Sequence, residues 1–455
     1  MADKYDLIVI GGGPAGYLAA ERAGGAGLSV AVFEMRTLGG VCLNEGCIPT
    51  KTFLNSAKIY THALHGEAFG VRAAGITLDH AAVLRRKAEV VKTLVVGVEY
   101  KMKENKVTVI RSEAEIVGRT NGGFVVRGGG YEAVAGKLLI ATGSKPVTPP
   151  IPGVMDGLSA GYVCTSREIL DIGYVPESLV IVGGGIVGLE MADYFSVAGA
   201  KVTVVEMADK IAGPFDREIS RILQRNLEAK GVVFILGAKV TGISQGAVVA
   251  ESVGGSVSAP GDIVLLSIGR RPASEGLGLE RISVLTENGA VVTGRHMQTS
   301  VPGVYAAGDV NGKVMLAHTA YREAEVAVNH MLGIPDEMRY DAIPSVIYTQ
   351  PEAAYVGETD ESAATKGLRF IVKKLPLTYS GRYVAENEKG DGVCKTLIDE
   401  GSGRIIGVSI VGGNASEIIL SAGAIVSLGI PVESARRIVF PHPTVGEIIR
   451  ETLFM

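Results

Sequence analysis

The chain has 455 residues, 47% of them hydrophobic and 20% charged, with a formal net charge of −4. At roughly 100–200 residues per domain this predicts about three domains with large buried cores. The balance excludes a long basic surface, and no apolar run approaches the ~18 residues that span a membrane, so neither nucleic acid nor a membrane is expected as a partner.

The first residues, Met1-Ala-Asp-Lys-Tyr-Asp, carry charges and run straight into a Gly cluster, so no secretory leader is expected. Four cysteines in the whole chain fit a reducing compartment, so a cytoplasmic location is expected. Glycine is abundant: 61 residues, about 13% against a usual ~7%. Much of it is clustered, as phosphate-cradling turns require.

Residues 5–10 predict a strand ending in Gly11-Gly12-Gly13-Pro14-Ala15-Gly16. Gly11, Gly13 and Gly16 fit G-x-G-x-x-G, a helical pattern follows, and residues 28–33 predict a second strand with Glu34 at its end. Such glycines let the backbone approach a pyrophosphate at the helix start, and the acid can accept hydrogen bonds from a ribose diol. The stretch Gly39-Gly40-Val41-Cys42-Leu43-Asn44-Glu45-Gly46-Cys47-Ile48-Pro49-Thr50-Lys51 comes next. A four-residue gap between cysteines fits neither the usual zinc spacing nor a C-x-x-C pair, and no metal site is expected. The gap suits a small, strained disulfide that opens and closes.

Residues 52–66 and 80–104 read as helices, and 106–110 and 123–126 as strands. Arg85, Arg86, Lys87 and Lys92 give the second helix a charged, solvated face. Residues 137–144 form a strand entering a Gly turn. Pro146, Pro149, Pro150 and Pro152 then mark a domain boundary. Residues 179–182 open a second fingerprint, with Gly183, Gly185 and Gly188, a helix through Glu190, and a strand over 201–205 closed by Glu206. The recurrence is an internal duplication, and two dinucleotide sites in one chain point to FAD plus a nicotinamide cofactor. Glu206 favours NAD, because the 2′-phosphate of NADP needs a basic group and the nearest is Lys210.

Residues 262–272 repeat the earlier strand-to-Gly turn, and residues 304–309 form a strand ending in Gly308-Asp309, an acid able to bind a polyol hydroxyl. A helix is predicted over 314–332. From about residue 343 the pattern becomes α+β, with strands at 345–349, 369–375, 394–398 and 404–411, helices at 415–428 and 432–438, and no phosphate loop. The tail carries Phe440-Pro-His442-Pro-Thr-Val-Gly-Glu447. A His between two prolines is held rigidly, and Glu447 can hydrogen-bond it; such a pair can transfer protons near neutral pH, although taken in isolation a tail His more often has a structural role. Cys164 and Cys394 stand alone and read as buried small hydrophobes.

The cysteine stretch, both fingerprints, the Tyr305-Ala-Ala-Gly-Asp309 run and His442-Pro-Thr-Val-Gly-Glu447 together resemble the pyridine nucleotide-disulfide oxidoreductases over essentially the whole chain. The resemblance implies an α/β fold: two Rossmann-like dinucleotide-binding domains plus a C-terminal α+β dimerisation domain. The implied segments are an FAD-binding domain over 1–146, an NAD-binding domain over 147–271, a segment over 272–342 completing the FAD domain, and an interface domain over 343–455. It implies oxidation of protein-bound dihydrolipoamide with NAD⁺, using FAD and a redox-active disulfide. Under it Cys42 is the thiol that meets substrate and Cys47 the thiol beside the flavin. Lys51 lies near the flavin and pairs with Glu190, Asp309 binds the ribityl chain, and Gly40, Val41, Ala114, Thr142, Gly143 and Ala317 are further FAD contacts. On the NAD side it adds Glu190, Val240 and Gly269. His442, oriented by Glu447, is the base, supplied across a homodimer to the partner's site. The implied partner is a lipoylated carrier within a 2-oxoacid dehydrogenase or glycine cleavage system. With no lipoyl domain ahead of the first fingerprint, that carrier is expected to be separate, and with no extra cysteines near Met455 the large thioredoxin reductases and mercuric reductases fit less well. A relative reducing another disulfide, such as glutathione, with NAD(P)H is the second reading; retention of both cysteines, His442 and Glu447 speaks against a redox-silent structural subunit. Two positions depart from the family pattern. Val41 stands where Thr is common, and Glu45 stands inside the disulfide segment where an apolar residue is common.

Overall fold

The computed structural model describes residues 3–455, which gather into two compact units, each discontinuous in sequence. The first unites the chain up to Pro49 with Arg85–Val147 and Gly269–Tyr340; the second unites Thr50–Leu84, Thr148–Ile268 and Asp341–Met455.

The first unit is built on a seven-stranded sheet. Thr108–Ile110, Val30–Phe33, Asp3–Ile10 and Tyr131–Ile140 lie side by side in parallel, and Val304–Ala306 also pairs in parallel with Tyr131–Ile140. Gly123–Gly128 and Glu115–Thr120 extend the sheet antiparallel. Leu7, Ile8, Val9 and Ile10 are all buried, as a run without alternation must be when both faces of a parallel sheet are covered. The helix Pro14–Gly25 has proline at its start, where a missing N–H loses no partner, and buries an alanine stripe of Ala15, Ala19 and Ala23. Its small side chains allow the helix Ala317–Met331 to approach, joined by the Tyr17 and Tyr321 hydroxyls and by an Arg22–Glu325 pair at 2.8 Å. Ile8, Phe33, Ile116, Phe124, Leu138 and Ile140 form the core under this sheet.

The second unit repeats the parallel plan. Val233–Ile235, Lys201–Val205, Ser178–Val182, Ile263–Leu266 and Val163–Cys164 form a five-stranded sheet. The helix Arg217–Glu228 buries Ile219, Ile222, Leu223 and Leu227, and is capped by Asp216, whose side chain accepts from the N–H groups of Glu218 and Ile219. Such a cap contributes about 1 kcal/mol. Lys239–Ser244, Gly246–Ser252 and Gly255–Gly261 form an antiparallel three-stranded sheet. The C-terminal part is an antiparallel sheet ordered Ser345–Ile347, Glu352–Gly357, Ile405–Gly412, Val393–Asp399, Phe370–Pro376, covered by the helix Ala415–Ser427. The chain is therefore α/β with two dinucleotide-type parallel sheets and a C-terminal α+β domain.

Several elements differ from the sequence reading. The helix expected over 52–66 is Cys47–Leu64, beginning at the second cysteine. Pro49 falls in its first turn, where no N–H partner is lost. The helix expected over 432–438 is only Val432–Ala435. The strand Glu115–Thr120 and the first half of Tyr131–Ile140 were not anticipated.

Candidate active site

In the first unit the strand Asp3–Ile10 delivers the chain into the Gly11 turn. No side chain caps the helix Pro14–Gly25 at Gly13. Its leading N–H groups and dipole therefore form a site for an anion. A Cβ on Gly16 would stand 1.8 Å from the Gly11 carbonyl oxygen, so the turn's own packing demands glycine there. A Cβ on Gly13 would meet only the Gly40 Cα, at 3.8 Å, so the space over the helix start is open. Glu34 is buried, with Oε2 accepting from the Gly12 N–H at 2.7 Å and Oε1 from the Arg36 N–H at 2.7 Å.

The second unit has the same arrangement. The helix Ile186–Val197 is uncapped at Gly185, where an added Cβ meets nothing within 4 Å, while one on Gly188 would stand 2.4 Å from the Gly183 oxygen. Glu206 Oε2 accepts from the Gly184 N–H at 2.6 Å and Oε1 from the Ala208 N–H at 2.7 Å. Both cradles fit the pyrophosphate and ribose of a dinucleotide. Lys210 does not offer a phosphate contact: its ammonium donates to the carbonyls of Gly213 and Phe215. Val240 is buried in the core of the three-stranded sheet, so only its backbone is available to a ligand.

The two cysteines lie on helical turns. Cys42 is in Gly40–Glu45 and Cys47 opens Cys47–Leu64, with the break at Gly46; both are half-buried. Gly40 has φ +57°, and a Cβ there would stand 2.6 Å from the Gly13 Cα. The two-cysteine segment is thus packed directly on the first glycine turn, and Val41 sits beside it with its side chain at the surface. Tyr17 and Tyr321 lie close enough to Cys42 for its sulfur to act on both phenols. Burial pushes both phenols up, so they remain protonated donors. By contrast, burial pushes the Cys164 and Cys394 thiols up to about 12, which makes them inert packing groups.

Asp309 ends the run after Val304–Ala306 and accepts from the Ser144 hydroxyl. Arg270 holds this corner. Its Nε donates to Ser144 Oγ at 2.7 Å, its Nη2 donates to Ser144 O at 2.8 Å, and Asp309 Oδ2 lies 4.0 Å away. Burial pulls the Arg270 guanidinium down, opposed by Asp309, Glu45 and the Cys47 sulfur. Gly269 precedes it at φ +111°, and its carbonyl accepts from the Val147 N–H. Thr142 Oγ1 donates to Ala273 O at 2.7 Å, with Gly143 next at φ +71°. Ala114 is buried just before Glu115–Thr120, and Ala317 begins an uncapped helix. Sequence reasoning missed Ser144, Arg270 and also Glu323. The Glu323 carboxyl is buried in the helix Ala317–Met331 and accepts from the Gly308 N–H at 2.6 Å and the Tyr340 hydroxyl at 2.7 Å, fixing the turn that carries Asp309. Burial pushes this carboxyl up. Its only sequence signal is a carboxylate on the apolar face of a helix.

In the second unit Lys51 Nζ donates to both carboxylate oxygens of Glu190 at 2.9 Å, and Glu190 also accepts from the Tyr348 N–H at 3.1 Å. Glu190 is buried, and the Lys51 ammonium also sits 4.2 Å from the Tyr348 ring centre. His442 Nδ1 and Glu447 Oε2 are 2.9 Å apart, with the imidazole exposed and the carboxylate mostly buried at the start of the helix Glu447–Thr452. A carboxylate partner makes Nδ1 the donor and leaves Nε2 to accept a proton. Arg436, Arg437 and Arg450 line the surrounding pocket. No group of metal-ligating side chains occurs among the described residues.

A search of known families matches residues 5–324 to "Pyridine nucleotide-disulphide oxidoreductase" and residues 343–453 to its dimerisation domain. Among curated proteins the chain is 38% identical to a dihydrolipoyl dehydrogenase of Bacillus subtilis, over 99% of this chain and 98% of that one. It is 37% identical to one of Geobacillus stearothermophilus, over 99% and 96%. Among solved structures it resembles the HOCl-induced flavoprotein disulfide reductase RclA of Escherichia coli, at 28% identity and TM-score 0.86, covering 99% of this chain and 100% of that one. It also resembles LpdA of Mycobacterium tuberculosis, at 25% identity and TM-score 0.89, covering 100% and 99%. With these matches spanning both units from fingerprint to tail, the chain belongs to the pyridine nucleotide-disulfide oxidoreductase family.

Proposed function

We propose that the chain oxidises protein-bound dihydrolipoamide to lipoamide with NAD⁺ as acceptor, through the Cys42–Cys47 pair. The observation that carries this reading is the contact of Gly40 with Gly13, which packs a two-cysteine turn onto a dinucleotide cradle. The full-length similarity to dihydrolipoyl dehydrogenases supports the choice of substrate. Bound FAD and NAD⁺ supply the two-electron relay away from the dithiol.

The protein's own groups handle sulfur and protons. His442 Nε2 takes a proton from one substrate thiol while Glu447 stabilises the imidazolium. The thiolate attacks Cys42 Sγ, the Cys42–Cys47 bond breaks, and Cys47 departs as a thiolate. The second substrate sulfur, deprotonated, then attacks its neighbour, closing lipoamide and freeing Cys42. The Lys51–Glu190 pair holds a cation one helical turn beyond Cys47, and Asp309, fixed by Ser144 and Glu323, orients the FAD ribityl chain. Orientation of both ribose acids, Glu34 and Glu206, is set by backbone N–H groups. The match to a dimerisation domain supports a homodimer in which His442 of one chain serves the cysteines of the other. The described helices include none long and apolar enough to cross a membrane, and the sparse cysteines support a cytoplasmic setting.

Anaerobic titration of the yellow holoprotein with dihydrolipoamide, followed by NAD⁺, tests this. A long-wavelength band after two electrons, discharged with formation of NADH, is expected. The similarity to RclA, whose name records a disulfide reductase, favours the second reading if the band forms with NADH but not with dihydrolipoamide.

A further inference from the structure

Between the two cysteines stands a carboxylate. Glu45 is the last residue of the turn Gly40–Glu45, and Cys47 begins the next helix two positions on. Consecutive Cα atoms lie 3.8 Å apart, so residues two positions apart are within about 7 Å. The Glu45 side chain is only 22% exposed. Arg36 Nη1 donates to Glu45 Oε1 at 3.1 Å, and the Arg36 backbone N–H is itself held by Glu34 Oε1 at 2.7 Å. The carboxylate is therefore fixed in place beside the redox turn, through a link that begins at the ribose acid of the first fingerprint. The half-buried Arg270 guanidinium is near enough to Glu45 and to the Cys47 sulfur for each to support its charge.

We propose that Glu45, held by Arg36, tunes the Cys42–Cys47 couple: its negative charge disfavours the Cys47 thiolate and keeps the disulfide harder to reduce. The inference rests on the reading of these cysteines as a redox pair. The electron balance is that of any dithiol couple: two electrons and two protons break the sulfur–sulfur bond to give two thiols, one proton fewer being taken up when Cys47 stays ionised. A fixed negative charge beside the product thiolate opposes that last form. Glu45 also offsets two cations, Arg36 and Arg270, that would stabilise the thiolate. Removing the carboxylate therefore acts in one direction by both routes. The other groups around this turn keep their places in the comparison: Asp309 against Arg270, the protonated phenols of Tyr17 and Tyr321, and Lys51 on the helix of Cys47. A unit charge on the order of 10 Å away, at an effective dielectric of roughly 20–40, changes an ionisation constant by roughly 4- to 16-fold, and the Arg36 partner reduces this.

The test equilibrates holoprotein in thiol–disulfide buffers of set potential, traps thiols by alkylation and reads the oxidised fraction by mass spectrometry, at several pH values. Glu45→Gln is expected to stabilise the reduced pair three- to tenfold, a tenfold change corresponding to 29.6 mV, and to move Cys47 ionisation to lower pH. Arg36→Gln, which leaves the carboxylate without its cation, is expected to shift both in the opposite sense, with the double variant between the two. A parent whose cysteines fail to titrate as a two-electron couple overturns the redox reading itself. A parent that titrates normally with unshifted variants, or with both single variants shifted the same way, overturns only the role given to Glu45.

Discussion

Replacing Gly40 by alanine should damage the site two residues before Cys42 without touching either thiol. Two costs add. Gly40 has φ +57°, a conformation that costs an L side chain roughly 1–2 kcal/mol. Its new Cβ would stand 2.6 Å from the Gly13 Cα and 3.3 Å from the Gly13 nitrogen. The obstruction is backbone, not a side chain that can swing away, so relief requires the phosphate turn or the redox turn to move. Overpacking of that kind costs about 1–3 kcal/mol. The sum, roughly 2–5 kcal/mol, should appear partly as lost stability and partly as lost FAD affinity; 2 kcal/mol alone is about 30-fold in a dissociation constant. Urea unfolding of the apoprotein and fluorescence titration with FAD measure the two shares. Gly27→Ala is the control, because Gly27 has φ +89° and no atom within 4 Å of an added Cβ, which isolates the backbone cost. If Gly40→Ala matched Gly27→Ala in stability and bound FAD within threefold of the parent, the packing of the redox turn on Gly13 would be wrong.

Gly185→Ala should leave apoprotein stability within about 1 kcal/mol, since its Cβ meets open space at φ −79°, while the NAD⁺ KM rises at least about tenfold as the methyl enters the pyrophosphate cradle; an unchanged KM would remove the second cradle from the reading. His442→Gln should slow reduction by dihydrolipoamide on the order of 10²–10⁴ and leave reduction by NADH nearly unchanged in stopped flow; equal slowing of both halves would contradict a proton-transfer role. Asp336 is held below the usual carboxyl range chiefly by its hydrogen bond from Arg322. Its contribution is therefore complete above about pH 4 and is lost as pH falls through the lowered value. Asp336→Asn should lower stability at pH 7 by up to about 1 kcal/mol, with the gap to the parent closing in urea melts below pH 4; a gap that persists there would mean the charge is not responsible.

Both fingerprints were legible because a buried parallel strand, a Gly turn and an amphipathic or alanine-lined helix leave three separate marks on the sequence. The helix His80–Glu104 matched its expected bounds because its polar and apolar residues alternate at helical spacing over seven turns. Glu115–Thr120 and the start of Tyr131–Ile140 were hidden for the opposite reason: the inward positions include Ala133 and Ala135, too small to signal a buried face, and Gly118 interrupts the run at a register shift. The cysteine stretch carries no helix in the sequence reading because Gly39, Gly40, Gly46 and Pro49 are helix-breaking in isolation. Two positive-φ glycines instead start a short helix, and Pro49 sits in a first turn. Arg270, Ser144 and Glu323 escaped because their role lies in pairs 126 and 15 positions apart, which no local pattern encodes.

The engagement of Lys210 bears on how this protein could be redesigned. Its ammonium closes the loop after Glu206 by joining the carbonyls of Gly213 and Phe215. Neutralising Glu206 to admit a phosphorylated ribose would therefore not recruit this lysine, because turning it outward would open the loop and strand two carbonyls. A change of nicotinamide coenzyme would require a new cation grafted at Met207 or Ala208, together with a substitute for the Ala208 N–H that now orients the acid. If Glu206 sets the coenzyme, as proposed, that choice is written into a loop's internal wiring as well as into a single side chain, and an engineer would have to rewrite both at once.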